Sequence, residues 1–232
     1  MTPEMKMPGA GKLSARPLHF IWILDCSGSM KANGKIEALN TAIREAIPAI
    51  QQEARKNPEA QVLVRALRFS RGAQWHIAVP TPVDDVKWED LTAEAHTDMG
   101  KALSAVAEEM KVPPMKPRSL PPVLVLVSDG QPTDDFSVGL KKLMDEPWGR
   151  AAVRMAVAIG QDADLGVLQR FIGMPAEERA PLHADDADSL VEYMRWASTV
   201  GLRGSSKPLQ AQSERPPEPV KAAAPAADNE VW

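Results

Sequence analysis

The segment Asp25-Cys26-Ser27-Gly28-Ser29-Met30 carries one carboxylate and two hydroxyls at alternating positions. It follows an apolar run, Phe20-Ile21-Trp22-Ile23-Leu24, that reads as a buried strand. Three oxygen ligands therefore sit at the C-terminal lip of a strand, and Gly28 allows a sharp turn between the serines. Oxygen donors without nitrogen or sulfur suit a hard cation, Mg²⁺, Mn²⁺ or Ca²⁺, rather than zinc. Two other segments add groups of the same kind. His96-Thr97-Asp98-Met99-Gly100 places a hydroxyl just before a helix, and Ser128-Asp129-Gly130 places a carboxylate after the most apolar strand. Each segment alone is also an ordinary turn, since Asp, Ser and Gly are common turn residues. It is the set of three that points to a metal.

Other chemistries fit less well. A nucleophile elbow around Ser27 needs glycine two residues before it, and position 25 is Asp. Asp25 could serve as a phosphatase nucleophile, but the dehalogenase-like phosphatases carry a second Asp where this chain has Ser27. Cys26 alternates away from Asp25 and Ser27, toward the packed face, and reads as a small buried hydrophobe. His96 reads as a packing residue or a support to the site, and His19, His76 and His183 are too scattered for a zinc site. Asp134-Asp135 reads as a solvated loop start and helix cap, with a second ion as the alternative.

The elements that must position these groups are legible in the pattern. Ile36, Leu39, Ile43, Ile47 and Ile50 recur at helical spacing over 35–56. A strand over 62–69 and a partner over 74–79 read as a hairpin around Ser70-Arg71-Gly72. Pro80 and Pro82 suggest an edge strand whose ladder stops there. Residues 84–97 read as a loop with one helical turn near Trp88, followed by a helix over 98–110 with Leu103, Val106 and Met110 on one face. A proline-rich loop leads into a strand over 122–127, then a helix over 137–145, a strand over 154–159 and a helix over 164–172. An extended piece near His183 and a helix over 187–200 complete the series. The order predicts an α/β fold: a doubly wound, mostly parallel sheet with one antiparallel edge strand and helices on both faces. With strand order 3-2-1-4-5-6, the first and fourth strands flank the crevice where such sheets bind ligands.

The succession Asp25-x-Ser27-x-Ser29, then Thr97, then Asp129 resembles the metal-ion-dependent adhesion site (MIDAS) of von Willebrand factor A (vWA) domains. The resemblance covers about 17–200 and implies that Asp25, Ser27, Ser29, Thr97 and Asp129 hold one divalent cation, Mg²⁺ first. It further implies that the hydroxyls bind the ion directly while the aspartates act through water. Within the family, the wording Asp-Cys-Ser-Gly-Ser-Met, Thr-Asp-Met-Gly-Lys-Ala-Leu and Ser-Asp-Gly-x-Pro-Thr-Asp is similar to the bacterial TerY group of tellurium-resistance and stress-response gene sets. That likeness implies a protein partner beside a kinase and a phosphatase. The expected function is a metal-dependent protein-interaction module, not an enzyme. A partner's Asp or Glu would complete the metal's coordination, with contacts from Met30, Asp98, Met99, Gln131 and Thr133. Thr97, on a separate loop from the serines, is the donor expected to move. The alternative is a metal-assisted phosphatase or other hydrolase using Asp25.

Composition narrows the classes. With 27 Lys+Arg against 31 Asp+Glu, the chain is mildly acidic, which speaks against a nucleic-acid surface. One cysteine allows no intrachain disulfide. No apolar run is long enough for a membrane span or a signal peptide, so a cytoplasmic protein is expected. The expected domains are a flexible segment over 1–16, a vWA domain over 17–202, and a disordered Pro/Ala-rich tail over 203–232 whose Trp232 could anchor a partner.

Overall fold

The computed structural model describes residues 15–129, 131–206 and 217. Six strands form one sheet in the order β3-β2-β1-β4-β5-β6. They are β1 (Arg16–Asp25), β2 (Ala60–Ser70), β3 (Gly72–Pro82), β4 (Val123–Ser128), β5 (Val153–Ile159) and β6 (Leu182–Ala184). All pair in parallel except β2 with β3, which makes β3 the antiparallel edge. The six α-helices are α1 (Lys35–Arg55), α2 (Met99–Glu109), α3 (Phe136–Asp145), α4 (Pro147–Ala151), α5 (Leu165–Ile172) and α6 (Ala187–Ser206). The fold is thus the expected mixed, mostly parallel α/β sheet with helices packed around it.

Strand alternation explains the two layers. In β1, Phe20, Trp22 and Leu24 join a core with α1 and α6, where Leu39, Ile43, Leu190 and Met194 are buried. Ile21 and Ile23 point the other way, into a core with Leu103 and Val106 of α2, Leu143 of α3 and Phe171 of α5. In β4, Val123, Val125 and Val127 take the first side and Leu124 and Leu126 the second. A strand buried on both faces reads as a continuous apolar run, which is how both central strands appear in the sequence.

Several local expectations need correction. The β3 ladder does not stop at the prolines: Thr81 pairs with Val64 and Pro82 with Leu63, beyond an irregular register near Ala66. An edge strand tolerates this because its outward groups face no further strand. The helical turn expected near Trp88 is instead a short 3₁₀ turn at Val83–Asp85. A short helix, α4, begins at Pro147, whose fixed φ and missing N–H suit a first helical position. Pro48 lies inside α1, where burial of Ile43, Ile47 and Ile50 outweighs one lost hydrogen bond. β1 begins at Arg16 and α6 continues to Ser206, so residues 203–206, expected in the tail, are helical. Apart from Ala15 and Pro217, the rest of the two expected flanking segments lies outside the described residues. No described helix is long and apolar enough to cross a membrane.

Candidate metal centre

One lip of the site is built by the end of β1. Asp25 closes that strand with no solvent exposure. Its Oδ1 accepts the backbone N–H of Ser27 at 2.8 Å, a turn that Asp makes with its own chain two residues on. Its Oδ2 accepts the Ser128 hydroxyl, from the neighbouring β4. The Ser27 and Ser29 hydroxyl oxygens lie 2.9 Å apart. Gly28 is not left-handed. Its lack of a side chain matters because a Cβ would meet the Glu94 carbonyl at 3.2 Å. Cys26 faces the core beside α1, and burial pushes its thiol up to about 12, with the Asp25 charge adding to the shift. Such a thiol is inert at neutral pH.

The other lip is assembled from two loops. Thr97 donates its backbone N–H to the Thr133 hydroxyl at 3.0 Å, and Thr133 donates its N–H to the Thr97 carbonyl at 2.9 Å. Asp134 accepts the N–H groups of Gly100 and Lys101, both at 2.8 Å, and so caps the first turn of α2. Asp135 caps a different helix, α3, by accepting the Val138 N–H. Where α2 meets α3, a Cβ on Gly139 would lie 2.1 Å from the Gly100 carbonyl oxygen, so only glycine allows this approach. Thr97 is on a separate loop from the serines, as expected, but it is bonded to the loop that follows Asp129. The segment before Thr97 is also anchored. Asn40 of α1 accepts the Leu91 N–H and donates to the Leu91 carbonyl, and the Trp88 indole donates to Asn40. Glu94 takes Arg68 and Ser70, and Asp98 takes Lys101 and the Gly72 N–H.

Between the lips lies a cleft of about 270 Å³ lined by Ser29, Thr97 and Asp129, with Lys35, Asp162, Gln131 and Thr133. Ser29, Thr97 and Asp129, predicted from three separate segments, thus share one cavity, and hydrogen bonds tie Asp25 and Ser27 to its edge. Burial pushes the Asp25 carboxyl up to about 7, and the nearby Asp129 charge adds to this; hydrogen bonds from Ser128 and Ser27 offset it only in part. Two crowded carboxylates beside three hydroxyls form an all-oxygen donor set that fits a hard dication. Among the described residues no three His, Cys, Asp or Glu side chains converge on a metal-holding group, so any ion here would depend on the hydroxyls.

The expected rim is corrected in part. Met30 and Met99 are core residues with no exposure, and Asp98 is held by its own bonds. Gln131 and Thr133 are exposed at the cleft. His96 is neither packed nor in the cleft lining; it is exposed, left-handed at φ 75° and 3.1 Å from Arg71. Lys35, Asp162 and the capping role of Asp134 toward α2 went unread in the sequence. The consecutive Asp134-Asp135 pair was the available signal, since each residue caps a helix.

Comparison with known proteins agrees with this architecture. No curated protein sequence matches the chain. Among solved structures, a von Willebrand factor type A protein from Catenulispora acidiphila is similar at 17% identity and a TM-score of 0.61, covering 81% of this chain and 43% of that one. The pilus adhesin SpaC from Lactobacillus rhamnosus GG matches at 13% identity and a TM-score of 0.64, covering 82% and 31%. The conserved hypothetical protein BatB from Bacteroides thetaiotaomicron matches at 10% identity and a TM-score of 0.55, covering 80% and 99%. The chain spans less than half the length of the first two, and at these identities the likeness is one of fold. The von Willebrand factor type A domain description matches residues 21–195. Matched over most of its length, the chain belongs to the von Willebrand factor type A domain family.

Proposed function

We propose that this vWA domain is a metal-dependent protein-interaction module in which Asp25, Ser27, Ser29, Thr97 and Asp129 hold a divalent cation, Mg²⁺ first and Mn²⁺ or Ca²⁺ as alternatives. The observation that carries the reading is the convergence of oxygen donors from three distant segments on one cleft at the C-terminal ends of β1 and β4. Bound there, the ion would supply a Lewis-acidic position for an anionic ligand. The chain's own residues orient the donors: Ser27 N–H and Ser128 hold the Asp25 carboxylate, and Thr133 fixes the backbone of Thr97. Interaction is the general role of the family, and the partner group that suits this site is an Asp or Glu side chain.

The TerY-like wording of Asp25–Met30, Thr97–Leu103 and Ser128–Asp134 supports a narrower assignment. On it, the partner is a protein kinase, a phosphatase or one of their targets in a bacterial stress or tellurite-resistance pathway. The phosphatase alternative is disfavoured by Asp25 itself. Both of its oxygens already accept hydrogen bonds and the residue has no exposure, so it does not present a nucleophile to a substrate. Calorimetry with Mg²⁺, Mn²⁺ and Ca²⁺ tests the metal, with Asp25→Ala as control. Capture of cellular partners by wild type and Asp25→Ala, with and without EDTA, tests the function. No binding of any of the three ions at millimolar concentration rejects the reading. Partner capture that is unchanged by EDTA rejects the metal-dependent mechanism.

A further inference from the structure

Lys35 is the anomaly of the cleft. It is only 6% exposed, yet its ammonium makes no hydrogen bond or ion pair with any described residue. Among the more exposed lysines, Lys56, Lys101, Lys111 and Lys141 each hold a carboxylate within 3.1 Å, while Lys31, Lys87, Lys116 and Lys142 are open to solvent. Lys35 is also the first residue of α1. There the helix dipole disfavours a cation and favours an anion, while the Lys35 N–H itself is taken by the Ala32 and Met30 carbonyls. A lysine that lines the cleft, is otherwise enclosed and has no partner there is placed to receive an anionic group.

The cleft suggests what arrives. Asp129 and Asp162 line it beside Lys35, but neither closes an ion pair with it. One ammonium against two carboxylates leaves the lining net negative, which repels a free anion. A dication reverses that sign. We propose that Lys35 is this protein's own contact to the acidic side chain of a protein partner. Its ammonium takes one carboxylate oxygen once the cleft holds a divalent cation. This deepens the metal-dependent reading above and rests on it. It assigns to Lys35 the discrimination of Asp or Glu from the neutral Asn or Gln, because an amide brings no charge to match the ammonium.

The test uses Mn²⁺ as the ion and acetate as the probe. Mn²⁺ binding is followed by electron paramagnetic resonance. Acetate binding to the loaded protein is followed by the paramagnetic relaxation of its methyl protons, with acetamide as the neutral comparison. Lys35→Met should bind Mn²⁺ at least as tightly as wild type, since it removes a nearby positive charge. Its acetate affinity should fall about five- to tenfold, with Lys35→Arg retaining most of it. Acetamide should show weak relaxation in all three proteins. Equal acetate affinity in wild type and Lys35→Met overturns the assignment while leaving the metal reading intact. Absence of Mn²⁺ binding to wild type overturns both. Should Lys35→Met fail to fold, wild type labelled with ¹³C-lysine decides: the Lys35 ¹³Cε signal should shift with acetate in Mg²⁺ and stay still in EDTA. A signal that does not move in Mg²⁺ overturns the proposal.

Discussion

The two lips of the cleft are made in different ways. Asp25, Ser27 and Ser29 lie within five residues of one another, and hydrogen bonds inside that stretch, with one from Ser128, set their arrangement. Thr97 and Asp129 come from loops far apart in the chain. Their spacing depends on Thr133 bonding Thr97 in both directions, on Asp134 capping α2 and on the close crossing of Gly100 and Gly139. The near lip is a local motif on a buried strand. The far lip is a product of helix packing, and changes remote from any donor can disturb it. The same bonds join Thr97 to the loop after β4, so a change in cleft shape would fall between the two lips rather than between Thr97 and Asp129.

The largest effect should come from the carboxylate at the base of the near lip. Asp25 titrates near 7 in the folded, metal-free protein and near its ordinary 3.8 when unfolded. Between those values the native state holds a proton that the unfolded state has lost. Asp25 should therefore destabilise the metal-free domain as pH rises from about 4 to about 7, by on the order of 4 kcal/mol, against the opposite trend of His19, whose burial lowers its pKa. Denaturant titrations in EDTA across that range should show wild type losing stability relative to Asp25→Asn. A difference between the two proteins that does not change with pH would remove the strain assigned to this lip.

Gly139→Ala probes the far lip through packing alone. Its new methyl would strike the Gly100 backbone, which cannot swing aside, and should cost about 3 kcal/mol. Thermal unfolding should show a fall of roughly 6–12 °C for a domain of this size. A fall of only a degree or two would mean that α2 and α3 can part without harm.

Asp134→Ala and Asp135→Ala sharpen the contrast, because the two residues are adjacent but cap different helices. Asp134→Ala should cost about 1–2 kcal/mol and also weaken Mg²⁺ about tenfold, since α2 starts just after Thr97. Asp135→Ala should cost about 1 kcal/mol and leave Mg²⁺ affinity unchanged. Calorimetry on both variants checks this, and equal losses of affinity would show that the far lip does not depend on the α2 cap. The smallest stability effect belongs to Ser29→Ala. Ser29 is exposed, so the change should stay within about 0.5 kcal/mol while weakening the ion. Unaltered Mg²⁺ affinity in that variant would remove Ser29 from the donor set.

Much of this was legible in the chain itself. Continuous apolar runs over Phe20–Leu24 and Val123–Val127 and the helical spacing over Ile36–Ile50 identify the central strands and the first helix, because burial on both faces or on one stripe imposes a pattern on residue type. The near-lip donors are readable for the same reason: a local turn is written in consecutive residues. What only the tertiary structure decided is the far lip and its surroundings. No local pattern reveals that Asp134 reaches α2 rather than α3, or that Thr133 meets Thr97. Nor does one reveal that Met30 and Met99 turn into the core, or that Lys35 ends in the cleft without a partner. These depend on how separate elements cross, and a hydrogen bond between residues distant in sequence leaves no periodic trace in either segment.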